Sequence, residues 1–123
     1  EVLPTTPVKG TVPTTQVDAN QVGFQTHVHE FTGSTRLAGD PTHNHRFAGV
    51  SSQAIPVAGN HVHTINTSTD FDIEHLHEIG MVTGTAIYVG DGRHVHYAAS
   101  LSTLNRGHAH EFVFATLIED PLR

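Results

Sequence analysis

A chain of 123 residues is long enough for one domain with a modest core and too short for two ordinary ones. Its net charge of −6 with neutral histidines argues against nucleic acid and anionic membrane surfaces as partners. Cysteine is absent, which removes disulfides, zinc fingers, iron–sulfur ligation and covalent haem attachment, so any metal must be held by nitrogen or oxygen. Apolar residues make up only 37% while Gly, Pro and Thr are plentiful, which predicts an all-β fold of repetitive short strands joined by Gly/Pro/Asp turns, elongated or sandwich-like. No apolar run approaches the roughly 18 residues of a membrane span, so membrane insertion is not expected.

Residues 1–22 stand apart from the rest. They hold Pro4, Pro7 and Pro13, scattered valines and no histidine, a composition that disfavours helix and suits an extended arm. Such an arm could complete a neighbouring subunit as a donor strand, making the chain its own partner in a homo-oligomer or filament. The sequence opens at Glu1, which fits a mature chain after leader removal and favours an extracellular or cell-surface location over a cytoplasmic one.

Residues 23–123 form the expected repeat domain. Six His-X-His motifs follow one another, at His27/His29, His43/His45, His61/His63, His75/His77, His94/His96 and His108/His110, and they contain every histidine of the chain. First histidines are separated by 16, 18, 14, 19 and 14 residues, as expected of a fixed strand joined by variable loops. Turn residues fill the intervals: Gly39-Asp40-Pro41, Ala58-Gly59-Asn60, Asp70 with Asp72, Gly90-Asp91-Gly92 and Asn105-Arg106-Gly107.

Each motif is expected on a strand with both rings on one face, because side chains alternate along extended backbone. The same alternation places Phe31 in the row of His27 and His29, and likewise Phe47, Ile65, Ile79 and Phe112 in the rows of their own motifs. Only Ala98 lacks a large apolar group at this offset. The histidines therefore continue rows that end in the core, whereas a helix would turn the two rings of a pair about 200° apart.

Two histidines on one strand face lie roughly 6 to 7 Å apart and can lean toward a common ion at about 2.0–2.2 Å from each nitrogen. All twelve are thus candidate ligands of a transition metal, Zn, Cu, Ni, Co or Fe, since calcium and magnesium want oxygen. Two motifs facing each other would supply four imidazoles, and three copies of one motif about a threefold axis would supply six; both arrangements are open. Glu30, Glu78 and Glu111 follow their motifs by one residue and are expected on the opposite face, and Asp70, Asp72 and Glu74 read as a solvated turn. The alternative to metal is a hydrogen-bonded histidine ladder, whose buried imidazoles would each need a partner.

The segments HVHEFTGSTRLAGDPTHNHRFAGVSSQAIPV, GNHVHTINTSTDF, EHLHEIGMVTGTAIYVG, GRHVHYAASLST and GHAHEFVFATLIEDP together resemble the small bacterial YmaF family of Firmicutes. The likeness covers about residues 27–121, loops included, and implies a bacterial origin and an intact repeat without supplying an activity. By its motif alone, HVHEFTGST is also similar to the histidine-pair segments of phage tail-fibre tips, in which trimers thread metal ions along a needle.

The expected function is a non-enzymatic metal-binding structural protein that assembles with itself, as a filament or surface layer. The alternatives are a trimeric receptor-binding fibre tip and a soluble metal store or chaperone. An enzyme is not expected, because catalytic His-X-His sites occur once per domain, with a further ligand and an open coordination position.

Overall fold

The computed structural model describes residues 27–120; the arm at residues 1–22 lies outside them. Among the described residues there is no helix, and the fold is all-β as expected. Ten strands form five antiparallel hairpins. Three are long: β1 (Glu30–Ser34) with β2 (Arg46–Val50), β5 (Thr64–Ser68) with β6 (Glu78–Val82), and β9 (Tyr97–Leu101) with β10 (Glu111–Ala115). Two are short: β3 (Ile55–Val57) with β4 (Asn60–Val62), and β7 (Ile87–Gly90) with β8 (Arg93–Val95). The first short hairpin reverses at Ala58-Gly59, both with positive φ (47° and 79°), a mirror-image turn whose second residue is glycine for conformational reasons.

The three long hairpins close on one another in a ring, and the same bond closes each joint. Asp70 N–H donates to the Arg46 carbonyl (2.8 Å) and Ser52 N–H to that of Thr64 (3.0 Å), joining the first hairpin to the second. Gly84 N–H to Tyr97 and Thr103 N–H to Glu78, both 2.9 Å, join the second to the third. Arg36 N–H to Glu111 (2.8 Å) and Leu117 N–H to Glu30 (2.9 Å) bring the last hairpin back to the first. Every acceptor is the residue directly after a His-X-His motif, so the motif fixes where one hairpin meets the next. The repetitive strands thus wrap around a closed interior, each joint between hairpins held by one backbone bond at either end.

The interior is filled by Phe31, Phe47, Ile65, Ile79, Ala98, Phe112 and Phe114, with Met81 packed against them. These are the rows that alternation predicts, plus two residues from the facing strands. Phe31 pairs across the hairpin with Gly49, Ile65 with Met81, and Ala98 with Phe114. The small Ala98 is therefore balanced by a large cross-strand neighbour, and Phe114 stacks on Phe31 with centroids 5.3 Å apart. In the first hairpin the order is reversed: a Cβ on Gly49 would meet Phe31 Cζ at 2.8 Å, and one on Gly33 would meet Phe47 Cζ at 2.7 Å. Glu30, Glu78 and Glu111 face outward and are exposed. At roughly 1.5–3 kcal/mol for each large apolar side chain, so small a core needs help from another source.

Candidate metal centre

The second histidine of each motif sits just before a long strand rather than on it, which corrects the expectation of each motif lying on a strand; His61 and His94 do lie within β4 and β8. His29, His45, His63, His77, His96 and His110 each lie outside the strands, one residue before β1, β2, β5, β6, β9 and β10. The physical cause is a side chain that intrudes into the ladder. In the first hairpin the His29 N–H donates to Ser51 Oγ (3.0 Å) and the His45 N–H to Thr35 Oγ1 (2.9 Å). His63 and Thr83 (3.1 Å) pair with His77 and Thr69 (3.0 Å) in the second. His96 and Thr116 (3.0 Å) pair with His110 and Ser102 (2.9 Å) in the third. In return the carbonyl of each of these histidines accepts from the backbone N–H of the same Ser or Thr, at 2.8–2.9 Å. The second histidine of every motif is held twice by one hydroxyl residue, and its ring is turned inward.

All twelve histidines converge, in two groups of six. His27, His29, His61, His63, His94 and His96 form one cage; His43, His45, His75, His77, His108 and His110 form the other. Odd-numbered motifs thus build the first cage and even-numbered motifs the second, each from three different segments of one chain. Strand direction explains the division. β1, β5 and β9 start at the first cage and end near the second, while β2, β6 and β10 run back, so the apolar core lies between the cages, which are about 20 Å apart for six residues of strand.

Within a cage the rings stand edge to face, with centroids 4.4–5.2 Å apart in the first. Each ring meets all others of its cage but one. The pairs that do not meet are His27–His96, His29–His61 and His63–His94 in the first cage. In the second they are His43–His77, His45–His108 and His75–His110. Three opposite pairs with every other pair adjacent is the connectivity of an octahedron. Four adjacent Nε2 pairs lie 3.0–3.2 Å apart in the first cage and three lie 3.2–3.3 Å apart in the second. Dividing those edges by √2 puts the centre of a regular octahedron about 2.1–2.3 Å from each nitrogen, at or slightly above the length of a metal–imidazole bond.

Tautomers follow from the outer ring nitrogens. A carbonyl can only accept, so an Nδ1 beside one carries the proton and leaves Nε2 a bare lone pair. His29, His63, His77, His96 and His110 donate from Nδ1 to the carbonyls of Leu117 (2.8 Å), Ser52 (2.8 Å), Thr103 (2.7 Å), Gly84 (2.9 Å) and Arg36 (2.8 Å). His43, His75 and His108 donate to the carbonyl two residues earlier, in Pro41, Ile73 and Arg106, at 2.7–3.1 Å. His45 donates to the Asp70 carbonyl at 3.1 Å, and His94 to the Glu119 carboxylate at 2.9 Å. In ten of the twelve rings the bare lone pair therefore faces a cage centre, and the buried Nε2 atoms of His63, His77 and His110 have no hydrogen-bond partner at all. A cation at each centre would satisfy all of them at once.

Protons are poor substitutes for that cation. Burial above all, reinforced by neighbouring imidazoles, lowers His27 to about 2 and His61 to about 4. His96 falls to about 3, again chiefly through burial. Burial also lowers His63, His77, His94 and His110. At neutral pH these rings are neutral, the form in which imidazole binds metal.

Two acidic residues near the cages depart from the sequence reading. Glu119, which sequence reasoning missed, binds His94 Nδ1 with one carboxylate oxygen and accepts the His94 backbone N–H (3.0 Å) with the other. Asp70 is more than part of a solvated turn, because its carboxylate accepts the Arg46 N–H at 3.0 Å and lies 3.3 Å from His45 Nδ1. Asp72 and Glu74 are exposed, as expected.

A family model described as YmaF, spore germination protein GerY/YamF, matches residues 24–118. The chain belongs to the YmaF family. No curated protein and no solved structure matches it, so the likeness to phage fibre tips rests on the motif alone. The match to YmaF spans all six motifs and all six Ser/Thr residues that hold them, together with both ends of the hairpin ring. Glu119 lies just beyond the matched residues.

Proposed function

We propose that this YmaF protein is a non-enzymatic structural unit whose hairpin ring is locked by two transition-metal ions, one per cage. The observation that carries the reading is the octahedral arrangement of six imidazoles, with proton-free nitrogens aimed at a centre of metal-bond radius. Of Zn, Cu, Ni, Co and Fe, an octahedral nitrogen site suits Fe(II), Co(II), Ni(II) or six-coordinate Zn(II) better than tetragonal Cu(II). Six imidazoles leave no vacant position for substrate or water, which favours a structural ion over a catalytic one. The same saturation and burial slow exchange, which weighs against a metal store or chaperone. Each cage takes its ligands from three hairpins of one chain, so metal binding calls for no trimer, and the fibre-tip alternative loses its motivation. Assembly into a filament or surface layer would instead run through residues 1–22. The family's description as a spore germination protein supports a role at the bacterial spore.

The test is metal removal. Protein stripped by a strong chelator should melt many degrees lower than protein reloaded with Co(II), Ni(II), Zn(II) or anaerobic Fe(II), and X-ray absorption of the reloaded protein should show six nitrogen neighbours at about 2.1–2.3 Å. Four-coordinate spectra, or a melting curve indifferent to confirmed metal loss, would refute it.

A further inference from the structure

The two cages share a geometry but not an electrostatic environment. In the His43 cage the first histidine of each motif donates its Nδ1–H to a neutral backbone carbonyl, of Pro41, Ile73 or Arg106. In the His27 cage the corresponding ring of His94 meets the carboxylate of Glu119 at 2.9 Å, and that carboxylate is clamped by its second bond to the His94 backbone N–H. The Glu119 side chain is 15% exposed, so water screens it little, whereas the Asp70 carboxylate near the second cage is 49% exposed and stands farther from its ring at 3.3 Å. A carboxylate on the outer nitrogen of a ligating imidazole raises the ring's basicity, fixes its orientation and places a negative charge one ring away from the cation.

We infer that Glu119 is a positioning residue that makes the His27 cage the tighter of the two, so that a partly loaded chain holds its ion there and keeps it after the His43 cage has been emptied. This rests on the proposal that both cages bind metal. The consequence is a graded centre, in which one ion is retained and the other is released first.

The test uses Ni(II) alone, loaded onto the stripped chain and removed by excess chelator. Two equal phases of release are expected. The slow phase should survive in His75→Ala/His77→Ala, which destroys the His43 cage, and be lost in His61→Ala/His63→Ala. Glu119→Gln, nearly the same shape without the charge, should speed the slow phase by about 10- to 100-fold, while Asp70→Asn leaves it unchanged. Should Glu119→Gln fail to fold, the release rates of the two single-cage variants decide alone, with the His27 cage at least tenfold slower. Equal rates, a slow phase that belongs to the His43 cage, or a slow phase untouched by Glu119→Gln would overturn the inference while leaving two-ion binding intact. A wild-type chain that binds no Ni(II) would overturn both.

Discussion

Acidification of the metal-free protein should unfold it well above the pH at which its carboxylates titrate. A histidine whose folded pKa lies below the unfolded value of about 6.5 favours folding only while it stays neutral. Its contribution is intact above that value and is lost as pH falls from 6.5 toward the folded pKa, because the unfolded chain binds the proton and the cage does not. His27, His61 and His96, at about 2, 4 and 3, are all still neutral in the folded protein at pH 5. Each then costs about 2 kcal/mol relative to pH 7, at 1.36 kcal/mol per pH unit. Together they cost about 6 kcal/mol, comparable to the whole stability of a small domain. His63, His77, His94 and His110 shift in the same direction and add to the loss. Bound metal should hold the fold to lower pH and then fail steeply, since several protons replace each ion. Denaturant unfolding followed by circular dichroism at half-unit steps from pH 7.5 to 4, with and without metal, measures both curves. A metal-free midpoint unchanged between pH 7 and pH 5 would refute the buried neutral cages.

Other perturbations separate the parts of the design. Thr83→Val removes the hydroxyl that accepts the His63 N–H; thermal or denaturant melts should show a loss of about 1–3 kcal/mol, and a metal titration should show weaker binding in the His27 cage only. Gly49→Ala drives a Cβ to 2.8 Å from Phe31 Cζ, and equilibrium unfolding should register a loss of about 1–3 kcal/mol. The turn before His75 holds Ile73 and Glu74 at positive φ, where the turn before His108 has Arg106-Gly107. Glu74→Gly should therefore stabilise the protein by about 1 kcal/mol, read as a raised melting temperature.

Much of this architecture is written in local spacing. Alternation alone puts Phe31, Phe47, Ile65, Ile79 and Phe112 in the core behind their histidines, and all are buried. The pairing of motifs was harder to see, because successive spacings of 16, 18, 14, 19 and 14 look irregular. Alternate motifs are far more even: His27, His61 and His94 are 34 and 33 apart, and His43, His75 and His108 are 32 and 33 apart. That period of about 33 is the signature of three hairpins, each carrying one motif to either cage. A second signal lay in the hydroxyls. Thr35, Ser51, Thr69, Thr83, Ser102 and Thr116 each fall six residues after the second histidine of a motif. Each binds the histidine on the facing strand, so the constraint is periodic in sequence while its partner is not adjacent. Phe114 continues the row of His108, His110 and Phe112, so alternation turns it inward too, although its role in balancing Ala98 depends on the cross-strand register. Glu119 is different in kind: its role depends on what stands beside His94, and nothing in the spacing of the motifs announces it.

The most direct measurement of the central claim is native mass spectrometry of the metal-loaded chain at neutral pH, extended to the single-pair variants. Two ions on one folded chain are predicted, with His61→Ala/His63→Ala and His75→Ala/His77→Ala each retaining one. Metal found only on trimers, or a pair deletion that empties both cages in a chain that remains folded, would contradict two independent six-histidine centres closed within a single chain.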